Sequence, residues 1–187
     1  MLQLLLHICC APCSIYPLKH LAENGIGVQG YFYNPNIHPY QEWLRRKETL
    51  ESYSRISGTR VIFDEGYQME DFLRETVYRE NDRCRFCYYL RLKQSAQIAV
   101  KEGLDGFTTT LLVSPFQKHD LIRETGETIS RDLNFPFYYF DFRPGFKEAT
   151  LISKQLKMYR QQYCGCIYSE KERFYPKNLN SSGGEKT

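Results

Sequence analysis

No stretch of this sequence is apolar for long enough to cross a bilayer, and the opening MLQLLLHICC has neither a basic n-region nor a small-residue cleavage site. It reads as a first buried strand, so no membrane partner is expected and the cytoplasm is the expected location. Strong charge of either sign is also missing. The 25 Lys and Arg against 22 Asp and Glu leave a formal +3, well short of a broadly basic surface, so any RNA contact has to be local. Internal repeats and extended low-complexity segments are lacking. A chain of 187 residues with 42% hydrophobic content can bury one substantial core and not two. The expectation is one domain over 1–177 and a polar, Gly/Ser-rich tail over 178–187.

What is there alternates. Strand-like apolar runs (Gln3–Ile8, Gly27–Tyr33, Thr59–Phe63, Phe107–Val113, Phe137–Phe142) are separated by amphipathic helical stretches. The helical stretches are a segment capped by Ser14 and running to about Glu23, Tyr40–Ile56, Met69 to about Val100 with an interruption at Asn81–Cys87, Lys118–Leu133 and Phe146–Tyr163. This pattern of βαβ units predicts an α/β fold with a mostly parallel sheet flanked by helices. Such sheets bind ligands beyond the carboxyl ends of their strands. The unusual sequences fall at those ends: Cys9-Cys10-Ala11-Pro12-Cys13, Asn34-Pro35-Asn36, Ser114-Pro115 and Asp141-Phe142-Arg143. One shared pocket would explain them all.

The seven cysteines fall into three tight groups, Cys9/Cys10/Cys13, Cys84/Cys87 and Cys164/Cys166. Scattered core thiols rarely do this, and an odd count without a secretion signal points to metal or redox chemistry rather than a disulfide framework. The CxxC pair at Cys84 and Cys87 suits one metal or one cluster. Glycine between Cys164 and Cys166 lets two sulfurs approach, as metal ligands or as an easily reduced disulfide. Four thiolates could complete a cubane iron–sulfur cluster, with three left for a further metal or a redox pair. Two rival readings stand beside this one: a zinc-stabilised RNA-binding module and a thiol–disulfide oxidoreductase.

The motifs HICCAPCS, YFYNPNIHP, CRFCYYLRL, FTTTLLVSPFQ, FYYFDFR and YRQQYCGCIYS, in this order from His7 to about Ser169, resemble the cobalamin-independent epoxyqueuosine reductases of the QueH family. The resemblance implies a HUP-like, Rossmann-like fold in which CCAPCS replaces a phosphate-binding glycine loop, so neither ATP nor cobalamin is expected. It implies reduction of epoxyqueuosine to queuosine at the tRNA wobble position, the last step of queuosine biosynthesis, fed by an external electron donor. It carries a [4Fe-4S] cluster onto Cys9, Cys10, Cys84 and Cys87, and gives Cys164 and Cys166 as a redox-active disulfide or metal ligands.

An additional mononuclear iron, held by Cys13 with one or both of Cys164 and Cys166, would act as a Lewis acid on the epoxide. Tyr33, Tyr163 and Asp141 are candidate proton donors, set against packing for the tyrosines and pairing with Arg143 for Asp141. Arg45, Arg46, Lys47, Lys154, Lys157 and Arg160 could touch phosphates or simply form solvated helix faces. Tyr33, Tyr40 and Phe116 are candidate stacking platforms for a splayed nucleotide. His38 and His119 are read as structural.

Overall fold

The computed structural model describes residues 1–176; the expected tail over 178–187 lies outside them. Four strands, β1 (Gln3–His7), β2 (Gly27–Phe32), β3 (Val61–Phe63) and β4 (Gly106–Thr109), form one sheet in the order β3-β2-β1-β4. Every pairing is parallel. Phe137 adds a single parallel bridge to Phe107, which marks a fifth position beside β4. The order 3-2-1-4-5 is that of Rossmann-like sheets, whose ligands sit at the carboxyl edge.

The helices are α1 (Ala11–Glu23), α2 (Tyr40–Ser57), α3 (Met69–Thr76), α4 (Arg83–Lys101), α5 (His119–Leu133), α6 (Phe146–Gln155) and α7 (Ile167–Phe174). β1 is central, and Leu4, Leu5 and Leu6 have no exposed surface. Such a run fits a strand covered on both faces, each leucine contributing about 2 kcal/mol on full burial. One core joins β1 and β4 to Leu92, Ala96 and Ala99 of α4 and Ile122 and Ile129 of α5. The other joins Leu6, Ile8 and Phe32 to Trp43 and Leu50 of α2. Among the described residues no helix is long and apolar enough to cross a membrane.

The structure corrects several expectations. α1 starts at Ala11 with Cys10 in the cap position and Pro12 in its first turn, and the Ser14 hydroxyl donates to the Ala11 carbonyl instead of capping. Pro12 has no N–H to lose in a first turn, so the helix can start earlier than Ser14 suggests. The expected strand Phe107–Val113 stops at Thr109, whose side chain accepts from the Leu111 amide and turns Thr110–Val113 into a 3₁₀ turn. Because β4 leaves the sheet there, the expected strand Phe137–Phe142 keeps only its one bridge. The expected helix Phe146–Tyr163 ends at Gln155, with Lys157 at a φ of 50°. α7 follows an irregular strap over 156–166, and sequence patterning did not anticipate it.

Candidate functional site

Cys9 lies two residues past the end of β1, and the early start of α1 places Cys10 at the cap and Cys13 in the first turn. The three sulfurs lie within 4.8 Å of one another, with 3.8 Å between Sγ of Cys9 and Cys10. Thr110, delivered by the turn after β4, accepts from the Cys9 amide at 3.1 Å and donates to its sulfur at 3.4 Å. Hydrogen bonding to Cys10 and Cys13 holds the Cys9 thiol well below the ordinary thiol range, whereas burial pushes Cys10 up. The triad sits at a helix N-terminus, which favours negative charge.

α4 repeats the arrangement. Cys84 and Cys87 lie in its first two turns three residues apart, hence on one face. Cys87 is buried, and that burial pushes its thiol up to about 12, with the Arg91 guanidinium acting against the rise. Arg91 is itself 1% exposed. It donates through Nε to the Cys87 carbonyl and through Nη1 to Asn34 Oδ1, both at 3.3 Å, while Asn34 anchors to the Ile8 carbonyl at 2.9 Å.

The third group sits on the strap, which Arg46 holds. This residue, 1% exposed, pairs through Nε with Glu42 at 2.7 Å and donates to the Tyr163 and Cys164 carbonyls at 3.0 Å each. Gly165, at φ 142°, accepts from the His38 amide at 2.8 Å. A side chain there would be strained, since L residues rarely take that φ. Cys166 caps α7 by accepting from the Ser169 amide. All seven cysteines are free.

The three groups meet on one cleft of about 860 Å³ that is lined by Cys9, Cys13, Cys84, Cys87, Cys164 and Cys166. Cys10 lies beneath it, 1% exposed. The tight triad contains sulfur alone, with no carboxylate or imidazole, a donor set that fits a thiophilic metal, iron in a cluster or zinc.

A family model described as "Epoxyqueuosine reductase QueH" matches residues 4–172. The chain belongs to the QueH family. An epoxyqueuosine reductase QueH from Dehalococcoides mccartyi is 40% identical over 172 residues, covering 92% of this chain and 94% of that one. The one from Thermotoga maritima is 33% identical over 179 residues, covering 90% and 91%. Among solved structures, the U34-tRNA thiolase NcsA from Methanococcus maripaludis with its [4Fe-4S] cluster aligns at a TM-score of 0.46 and 13% identity, over 83% of this chain and 66% of that one.

In this member of the QueH family, the structure gathers the cysteine groups on one cleft but scatters other expected residues. Asp141 pairs with Arg143 through both carboxylate oxygens and does not line the cleft. Tyr163 lines it, yet its hydroxyl donates to the His38 carbonyl. Tyr33 is buried and stacks on Tyr31, so it offers no open platform. Arg46 is buried in its ion pair rather than presented to phosphates. Phe116 is 85% exposed on the cleft wall and packs edge-on against Phe146. Tyr40 is exposed but stacks on Trp43 away from the cleft lining.

Four contributors went without a role in the sequence reading: Thr110, Arg91, Gln117, whose Nε2 donates to the Cys164 sulfur at 3.3 Å, and Gln161, whose Nε2 is 3.6 Å from the Cys13 sulfur. Each lies inside a motif quoted above, which is the only signal that could have found it.

Proposed function

We propose that this chain reduces epoxyqueuosine to queuosine at the wobble position of tRNA, with thiolate-held iron and sulfur as its resident group. The convergence of all three cysteine groups on one cleft carries this reading. Six thiols on the cleft wall and a seventh beneath exceed what one closed, four-coordinate zinc site takes up. Cys9, Cys10, Cys84 and Cys87 would hold a [4Fe-4S] cluster. Cys13 with Cys164 and Cys166 would hold a further iron. Such a group supplies electrons one at a time at a site that can also polarise oxygen.

The reaction breaks both C–O bonds of the epoxide, forms a C=C bond and releases the oxygen as water. It takes up two electrons from an external low-potential reductant and two protons. The chain's own residues position and exclude. Thr110, Gln117 and Gln161 aim donors at sulfur, fixing the thiolates that each contacts. Arg46 closes the strap over the cleft. Tyr163, whose phenol burial pushes up to about 12, stays protonated and donates to the His38 carbonyl; Asp141, tied to Arg143 outside the cleft, is left out of the proton path. Phe116, beside Lys118 and Arg160 on the same cleft, offers a stacking face for a nucleotide splayed from the anticodon loop. By the family resemblance, thiols stand where a glycine loop would cradle phosphates, which is the ground for expecting no ATP.

The test is anaerobic isolation with iron and sulfide analysis, then incubation with epoxyqueuosine-containing tRNA and dithionite. A brown protein that converts the nucleoside to queuosine is the expected result. A colourless protein with stoichiometric zinc and no conversion would end the proposal.

A further inference from the structure

Two arginines are buried at this site, and they differ in what neutralises them. Arg46 has its carboxylate, Glu42, at 2.7 Å. Arg91 has none: among the described residues its side chain donates only to the neutral Cys87 carbonyl and Asn34 amide, and its Nη2 is buried without any partner. It lines the same cleft as the thiols. A buried cation with no counter-charge costs several kcal/mol, and a protein that keeps one normally holds the compensating anion next to it. Burial works against the charge on Arg91, and the groups that act to favour it are, in order, Cys87, Cys164 and Cys9, followed by the Tyr88 phenol. None is a carboxylate, and of these groups only the Cys9 thiol is held below its ordinary range, whereas burial pushes Cys87, Cys164 and Tyr88 up. Once cysteines bind metal they are thiolates, and the missing charge is supplied.

The side chain is also fixed in place. Nε bonds the carbonyl one turn back on α4, and Nη1 is held by Asn34, itself tied to the end of β1. The free nitrogen of a guanidinium fastened at two points cannot swing out to solvent.

We infer that Arg91 is the internal counter-cation of the thiolate-held centre and sets its reduction potential, favouring the reduced form, which carries one more negative charge. Arg91 is thus a positioning and tuning residue, and the inference rests on the iron–sulfur reading above. Reduction here is the gain of one electron from an external reductant, with no proton required at Arg91.

The experiment is a redox titration, followed by visible absorbance and electron paramagnetic resonance, of anaerobically purified full-length wild type, Arg91→Gln, Arg91→Lys and, as a control at the cleft rim, Arg160→Gln. Arg91→Gln should hold wild-type iron but reduce less readily by about tenfold at a fixed potential, a shift of about 59 mV to the negative for one electron. Arg91→Lys should lie between it and wild type, and Arg160→Gln close to wild type because Arg160 is only half-buried and so better screened than Arg91. An unchanged or positive shift in Arg91→Gln overturns the inference, as does an equal shift in Arg160→Gln. Loss of iron from both Arg91 variants also overturns it, because the guanidinium would then serve folding and not charge. Absence of iron from the wild type is a separate outcome that removes the iron–sulfur reading itself.

Discussion

The five cysteines near helix starts and the two on the strap reach the same cleft by different physical means. Cys9, Cys10, Cys13, Cys84 and Cys87 ride on the end of the central strand and the first turns of α1 and α4, so the sheet and two long helices set their positions. Cys164 and Cys166 sit on an irregular segment that depends on one buried ion pair, a glycine conformation and a few backbone bonds. One wall of the site is built by the fold, and the other is fastened to it.

The largest effect should come from the built wall. Cys9→Ala and Cys84→Ala are each expected to abolish cluster loading and lower epoxyqueuosine turnover by about 100-fold or more, read by iron analysis and nucleoside chromatography. Cys164→Ala should keep most of the iron, and if it empties the site as completely as Cys9→Ala, the two walls are not different.

Next comes the fastening. Arg46→Leu strands Glu42 in the interior, a change expected to cost about 3–5 kcal/mol, measured by urea denaturation. It should also speed labelling of Cys166 by a thiol reagent in the metal-free protein far more than labelling of Cys10. Gly165→Ala should cost less, about 1–3 kcal/mol, because it strains the strap at φ 142° and crowds Asn36 and Ile37 at 3.1 Å. Its loss of activity should exceed its loss of iron.

The smallest effect is expected at Gln117→Ala, which removes one donor to the Cys164 sulfur. A loss of about 1 kcal/mol, or up to about tenfold in turnover, is expected with normal stability. An activity equal to wild type would show that the Cys164 thiolate needs no such support.

The same contrast decides what could be read from sequence. The grouping of the built wall was legible because strand–helix alternation and cysteine spacing are local patterns, and parallel sheets put their ligands at the carboxyl edge. Its helix starts were not: α1 begins at Ala11, ahead of Ser14, and α4 at Arg83, inside the interruption expected over Asn81–Cys87. Nor was the fastened wall. The apolar and aromatic residues after Gln155 continue a helical rhythm, but Arg46 captures the Tyr163 and Cys164 carbonyls and Tyr159 reaches Glu42, so long-range bonds override the local preference. Arg45, Arg46 and Lys47 look alike as a basic run. Only the spacing from Trp43 to Arg46 to Leu50, one helix face with all three buried, picks out the inward arginine. Arg91 was hidden likewise among Cys87, Tyr88, Leu92 and Ser95 on the buried face of α4.

The placement of β1 has a consequence for how the molecule ages. Its amides and carbonyls are shared with parallel neighbours on both sides, so the backbone leading into Cys9 and Cys10 opens only when the whole domain does. The sulfur of Cys10 should meet a bulky alkylating reagent at the pace of complete unfolding, while exposed Cys164 meets it in the native protein. Within a single hollow, then, one thiol keeps the clock of the entire polypeptide and another keeps the clock of ordinary diffusion.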